Sequence, residues 1–308
     1  NVSFEVNNNP IDQYGPDAVN MHYNFCVPSD KKLSWDRCIG QETPNEALLT
    51  IYPGVDEYRE VKQIVNGLQT PKSTHLVADL WIPLIFWFNL DRGSSILSAT
   101  IPWGQRFIKI QLATIDQIAQ GIIDPNVIAP TITNIDLYIN NIFVDPAILS
   151  IFVEKIGFSL IRVHLLQTNI VNTSYDSIEM LQLKFPIEYI YYGIRPFIND
   201  ISLEDWHRYH NVITTLIPYP VLITNPVPPP AFILGASNAI YKVPTNTIDS
   251  LAVICNGIRL YHDNDVRFYS EYLPYISGSG LISPEDPGLT FIPFNFFPNR
   301  FQPSGHLN

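Results

Sequence analysis

Proline placement constrains this chain more than any other feature. A proline in a helix interior costs about 3 kcal/mol. Pro218, Pro220, Pro226, Pro228, Pro229 and Pro230 fall within thirteen residues, and the other prolines of the total of 26 recur along the rest of the sequence. Long helices are thereby excluded almost everywhere. Between the prolines lie short runs rich in Ile, Val, Phe, Tyr and Thr, which suit a pleated, half-buried surface. A mostly β protein is expected. At 308 residues there is room for two domains of about 150 residues or one large β domain. With 46% hydrophobic and only 15% charged residues, against ~25% charged in an average protein, disorder, coiled coil and helical repeats are excluded.

Several runs carry the two-residue period of a strand. In Arg106–Leu112, Ile108, Ile110 and Leu112 share one face, while Phe107, Lys109 and Gln111 share the other. In Ile135–Val144, Ile135, Leu137, Ile139 and Phe143 oppose Asp136, Tyr138 and Asn140. Phe158–Leu166 is apolar on both faces apart from Ser159, Arg162 and His164, as expected of a strand buried between two layers. Leu76–Leu90 is interrupted by Asp79 and Pro83 and falls short of the ~20 apolar residues of a membrane-crossing helix. It reads as a buried strand pair, and no membrane span is expected.

One segment near the middle of the chain breaks the β pattern. Asp145 is a good N-cap and Pro146 fits the first helical position. Ile148, Leu149, Phe152, Val153 and Ile156 then recur at helical spacing up to Gly157. A short amphipathic helix is expected over 146–156, as the connector between two β domains. A second short helix is expected over Ser202–Tyr209, where Ser202 and Asp205 form a variant capping box. Residues Gly15–Ser34, Pro53–Thr74, Thr168–Ser177, Asn199–Pro230 and His262–Pro287 read as long excursions between strands, of the kind jelly rolls carry at one end.

The formal net charge of −11, with no basic run, argues against direct nucleic-acid binding. Cys26, Cys38 and Cys255 have no CxxC spacing, so neither a disulfide scaffold nor a zinc knuckle is expected, and a reducing compartment is the simplest reading. A chain opening at Asn1 without a methionine or signal peptide, and stopping at Asn308, is expected to be an internal piece of a longer protein.

The search for chemistry yields no catalytic, cofactor or metal residues. Neither the GxxxxGK[ST] nor the GxGxxG phosphate motif is present. Gly278-Ser279-Gly280 lacks the flanking spacing of a nucleophile elbow, and Ser279 is read as a turn residue. The best metal-like cluster is Asp205-Trp206-His207-Arg208-Tyr209-His210. On a helix His207 and His210 would lie one turn apart with Asp205 or Glu204 nearby, but a third ligand at defined spacing is missing and Arg208 adds positive charge. It is read as a loop helix pinned by Trp206. His262-Asp263-Asn264-Asp265 has the composition of a turn, and His164 that of a hydrogen-bonded core histidine. The sequons at Asn1 and Asn172 matter only in a secreted chain. Phe86, Trp87, Phe88, Tyr189, Tyr191 and Tyr192 sit within strand-like runs and are read as core or interface packing.

Several segments together resemble a known family. These are Leu80-Trp81-Ile82-Pro83-Leu84-Ile85-Phe86-Trp87-Phe88-Asn89, Ile101-Pro102-Trp103-Gly104-Gln105-Arg106-Phe107-Ile108 and Leu137-Tyr138-Ile139-Asn140-Asn141-Ile142-Phe143-Val144. Phe158-Ser159-Leu160-Ile161-Arg162-Val163-His164, Pro186-Ile187-Glu188-Tyr189, Asp205-Trp206-His207, Asp286-Pro287-Gly288 and Gln302-Pro303-Ser304-Gly305-His306-Leu307-Asn308 continue the series in the family's order. The chain resembles the double jelly-roll major capsid proteins of nucleocytoplasmic large DNA viruses, in the group of African swine fever virus and faustovirus.

The resemblance implies an all-β fold of two tandem eight-stranded jelly rolls. The first would occupy residues 1–144 without its N-terminal strands, the connector helix residues 145–157, and the second residues 158–308 without its C-terminal strands. It further implies a non-enzymatic homotrimer forming a pseudo-hexagonal capsomer, with neighbouring capsomers and minor capsid proteins as partners, assembled in the host cytoplasm into the virion. A β-sandwich that binds or processes carbohydrate, using a loop carboxylate such as Asp263 or Asp265, is the alternative from another class.

Overall fold

The computed structural model describes residues 1–40, 47–49, 61–63, 79–96, 105–114, 131–155, 160–174, 177–180, 185–201, 205–222, 232–277, 280–298 and 304–307. Strands predominate over short helices among them. The N-terminal sheet is built from β1 (Val2–Val6), β2 (Asn9–Tyr14) and β5 (Arg106–Ile110) in the order β2-β1-β5, antiparallel throughout. Asn7 and Asn8 close the β1–β2 hairpin with φ of 52° and 63°. Asparagine tolerates this left-handed region, and the two-residue turn matches the twist of the strands. Short strands β3 (Ala47–Leu49) and β4 (Val61–Gln63) pair with each other.

Helix α1 (Pro16–Cys26) and helix α2 (Ser29–Cys38) follow β2, where the sequence led us to expect a loop. Pro16 occupies the first turn, where its missing N–H costs nothing, and no proline recurs until Pro28. The apolar residues of α1 serve two cores. Ala18 and Val19 pack with Phe4, Tyr14, Ile85, Phe86 and Trp87 of the N-terminal cluster. Met21, Phe25 and Cys26 pack with Tyr209, Tyr269, Leu273, Leu289, Phe291 and Ile292 of the C-terminal cluster.

The stretch expected as a strand pair near Leu76–Leu90 forms no ladder within its described part. Residues 79–86 are irregular around Pro83, and α3 (Trp87–Leu90) ends the stretch as a single helical turn. Ile85 and Phe86 are nevertheless fully buried, and the Tyr14 hydroxyl accepts the Ile85 N–H at 3.2 Å. In β5, Ile108 joins the core while Ile110 and Leu112 are exposed, so only part of the expected inner face is buried.

Helix α4 (Pro146–Lys155) lies where the mid-chain signal places it, and the Asp145 carboxylate accepts the Ala147 N–H at 2.8 Å. Residues 131–144 and 160–166 belong to no helix or ladder among the described residues, and their apolar side chains are mostly exposed, Phe143 to 93%. A strand buried on both faces was expected at the second of these. The described part of that segment instead leaves Leu165 and Leu166 in the open.

In the C-terminal part, β6 (Tyr189–Gly193) pairs antiparallel with β11 (Leu289–Pro293), all of whose residues are buried. Phe25 of α1 stacks on Tyr191 with ring centroids 4.8 Å apart. The expected helix at Ser202–Tyr209 is displaced upstream to α5 (Phe197–Asp200), which Pro196 opens; Asp205–His207 form a turn, and residues 202–204 lie outside the described set.

The excursions expected at Asn199–Pro230 and His262–Pro287 are largely ordered. β7 (Asn211–Leu222) pairs with β8 (Phe232–Thr245), with a register shift between Pro218 and Pro220, as prolines that cannot donate to a ladder require. β9 (Ser250–Cys255) and β10 (Ile258–Asp265) form a hairpin closed by Asn256 and Gly257 at φ 50° and 77°. A π-helical turn (Phe268–Tyr272) and α6 (Leu273–Ile276) follow.

Gly288, just before β11, allows the closest backbone approach in this region. A Cβ there would fall onto the Tyr209 carbonyl and sit 2.8 Å from the His210 nitrogen. Because the obstacle is backbone, neither side can yield cheaply, and Gly288→Ala is expected to destabilise the chain by about 2–3 kcal/mol. Chemical denaturation reads this directly, and a midpoint equal to the parent's would refute it.

Candidate functional site

The best-built polar site of the described residues is a junction that fastens α1 to the C-terminal sheets. Asp17, Asn20 and Asn24 recur at i, i+3 and i+7, which places them on one face of α1. Asp17 meets the Arg195 guanidinium and accepts the Tyr209 hydroxyl at 2.8 Å. Arg195 also donates to that hydroxyl at 2.7 Å and to Asp200 at 3.2 Å, and lies over the Tyr209 ring. Burial, aided by the nearby Asp17 charge, raises the Tyr209 phenol well above its ordinary range, so it stays a donor. Asn20 donates to the His207 carbonyl at 2.6 Å, and Asn199 to the carbonyls of Arg208 and His210 at 3.1 and 2.9 Å.

Asp286 is the anchor on the opposite side. Its buried carboxylate accepts the Tyr209 N–H at 2.6 Å and the Gly288 N–H at 2.9 Å, and lies 2.8 Å from His210 Nδ1. Its own backbone N–H reaches Asn24 Oδ1 at 3.4 Å. Buried charge is tolerated when it is paired and hydrogen-bonded, and both conditions hold here.

These contacts place the residues of Asp205–His210. His207 and His210 are engaged by Asn20, Asn199 and Asp286 through backbone and ring, and Asp205 pairs with Arg208 at 3.1 Å. Burial and Arg208 lower the His207 pKa, which keeps its ring neutral near pH 7. Among the described residues no group of three or more His, Cys, Asp or Glu side chains is placed to hold a metal. Trp206 rests edge-on against the His207 ring, 5.9 Å between centroids. The turn is held between α1 and Asp286 by these contacts.

A second junction joins β2 to residues 160–166. Asp12, buried, accepts the His164 backbone N–H at 2.8 Å and meets its Nδ1 at 3.0 Å, while the Tyr14 ring packs on the imidazole at 5.2 Å. His164 is therefore a hydrogen-bonded histidine, though at the side of the sheet rather than between layers. Arg162 grips Glu188 in a bidentate pair at 2.7 and 3.2 Å, tying this segment to the start of β6.

The remaining sequence candidates are dispersed. The thiols of Cys26, Cys38 and Cys255 are free. Cys26 Sγ lies 3.5 Å from the Tyr191 hydroxyl, and burial pushes its pKa up, so it is an unreactive packing residue. Asp265 accepts the Arg267 N–H at 2.8 Å, and the His262 carbonyl accepts the Tyr269 hydroxyl at 2.9 Å, so this stretch caps the following helical turn. Ser279 lies outside the described residues. Asn1 is tied to Gln111 by its amine at 3.0 Å. No helix among the described residues is long and apolar enough to cross a membrane.

No family model matches the sequence. Known proteins do. The major capsid protein of African swine fever virus (isolate Pig/Kenya/KEN-50/1950) is 28% identical over 410 aligned residues, covering 100% of this chain and 64% of the relative. The hexon protein p72 of the Badajoz 1971 strain matches to the same extent. The faustovirus major capsid protein superposes with a TM-score of 0.72 at 30% identity, over 100% of this chain and 65% of that one. This chain is a homologue of these major capsid proteins.

The PBCV-1 virus capsid, at 15% identity and a TM-score of 0.51, shares the fold. The relatives bear the names of shell proteins, not enzymes, which agrees with the catalytic blank in the sequence. The chain spans 64% of the length of the curated relatives it matches. Because 308 residues are spread over a 410-residue alignment, the relatives also carry residues between the matched segments that this homologue lacks. Asp205-Trp206-His207 and Asp286-Pro287-Gly288, two of the segments that carry the resemblance, adjoin one another in the α1 junction. Spacing in the sequence alone did not reveal that meeting.

Proposed function

We propose that this chain is the structural unit of a viral shell, built as two jelly rolls over residues 1–144 and 158–308 with residues 145–157 between them. In this reading it assembles as a homotrimer into pseudo-hexagonal capsomers, which tile an icosahedral virion formed in the host cytoplasm and contact minor capsid proteins. The observation that carries the reading is the match to the faustovirus major capsid protein along the whole chain. The exposed apolar side chains of residues 131–144 and 160–170 support it, because a tile enclosed by neighbours can leave on its flanks apolar surface that an isolated monomer would not tolerate.

Sedimentation of the full-length protein tests the reading. A trimer is the expected species. A stable monomer at micromolar concentration, together with absence of the protein from purified virions, would sink it.

A further inference from the structure

We infer that the groove beside the π-helical turn, lined by Asp265, Arg267, Phe268, Glu271, Tyr272 and Tyr275, is a saccharide-binding site. The inference is independent of the capsid reading. The groove is shallow and open, with a volume of about 620 Å³. Tyr275 is 83% exposed and Tyr272 52% exposed, and Tyr272 stacks on Phe268 at 5.4 Å to form an aromatic wall.

The helical segment that presents these rings is fixed from behind. Tyr269 and Leu273 are buried in the C-terminal core, and the Tyr269 hydroxyl lies 2.7 and 2.9 Å from the carbonyl oxygens of Leu251 and His262, either of which accepts its proton. The aromatic wall is therefore anchored before any ligand arrives, which lowers the ordering cost of binding.

The polar groups favour a neutral polyhydroxy ligand. Arg267 and Glu271 hold each other through two hydrogen bonds of 3.1 and 3.2 Å, and Asp265 accepts the Arg267 backbone N–H. The pair cancels its own charge and Asp265 leaves one carboxylate, so the groove offers donors and acceptors to hydroxyl groups and disfavours an anion. Hydroxyl groups pair with such a donor and acceptor set, while the apolar C–H face of a pyranose ring covers the tyrosine faces that the fold leaves wet.

Titration of the chain with maltotriose, chitotriose and lactose, followed by ligand-observed NMR and tyrosine fluorescence, tests the site. Saturable binding of at least one sugar is expected. Tyr275→Ala and Glu271→Gln should each weaken it about tenfold, or ~1.4 kcal/mol, while Tyr138→Ala at a distant exposed tyrosine leaves it unchanged. Both site residues are exposed, and far-UV circular dichroism verifies that the variants fold. Absence of saturable binding to all three sugars overturns the inference. So does binding that survives both site variants, or a Tyr275→Ala effect confined to self-association, which would make the groove a protein contact.

Discussion

Asp286→Ala is expected to destabilise the chain by about 3–5 kcal/mol, the usual result of removing one partner from a buried, hydrogen-bonded charge. The carboxylate accepts the N–H groups of Tyr209 and Gly288 and faces His210 Nδ1. Alanine strands all three in a region where water does not replace the lost oxygens, because Asp286 and Tyr209 are both buried. Asp286→Asn retains one acceptor oxygen in nearly the same volume and should lose roughly half as much. Asp263→Ala, at an exposed position on β10, should stay within about 0.5 kcal/mol of the parent. Urea titrations of the three variants give the comparison. An Asp286→Ala midpoint indistinguishable from that of Asp263→Ala would show that the junction carries no stability.

The cost is large because the site joins distant parts of the chain. Asn24 and Asp286 meet through a hydrogen bond spanning 262 residues of sequence, and Asp17 and Tyr209 through one spanning 192. Losing the anchor unties α1 from β11 and frees the turn at Asp205–His207 together. Such long-range pairs leave no periodic trace, so the sequence offered only a weak sign of them: Asp205-Trp206-His207 and Asp286-Pro287-Gly288 both resemble family segments, without a reason for their pairing.

Local signals were far more legible. Asp145 followed by Pro146 marked the start of α4 because the cap and the first turn depend on adjacent residues alone. The aromatic runs Phe86–Phe88 and Tyr189–Tyr192 were readable as packing, and Phe86, Trp87, Tyr189 and Tyr191 do line the two cores. Helix α1 carries Ala18, Met21 and Phe25 at helical spacing with Val19 and Cys26 beside them, but the polar residues Asp17, Asn20 and Asn24 and the prolines at either end give the stretch the composition of a loop. β7 was missed for another reason. Its β-branched run Val212-Ile213-Thr214-Thr215 precedes Pro218 and Pro220, whose missing N–H groups argue against a ladder, yet one register shift accommodates both. Asn256-Gly257 carries a strong hairpin signal that could have placed β9 and β10. Residues 131–144 have the strand period and 160–166 the two-sided apolarity of a buried strand, but neither lies in a ladder among the described residues, because period and composition say nothing about which strand lies alongside.

Acidification should weaken the junction between α1, α2 and the 160–166 segment, with His22 as the cause. Burial, with a smaller contribution from the charge of His164, lowers the His22 pKa from 6.5 to about 4. Its ring lies 5.7 Å from that of Trp35 on α2. Between pH 6.5 and 4 the unfolded chain binds the His22 proton and the folded chain does not, so stability falls as the pH drops through that window and levels off below it. At 1.36 kcal/mol per unit of pKa difference the loss totals at most about 3 kcal/mol. Asp36 opposes the trend near the lower end. Burial raises its pKa, so the folded state takes up its proton more readily than the unfolded state and gains stability as the pH falls towards the ordinary carboxylate range. The slope assignable to His22 is therefore cleanest between pH 6.5 and 5. His22→Phe keeps an aromatic ring against Trp35 and removes the titrating group. Urea midpoints of the parent should decline across that interval more steeply than those of His22→Phe, which keep only the decline contributed by His207, whose pKa burial also lowers. Equal declines in both would assign the acid sensitivity elsewhere, His207 being the next group to test because burial lowers its pKa in the same direction.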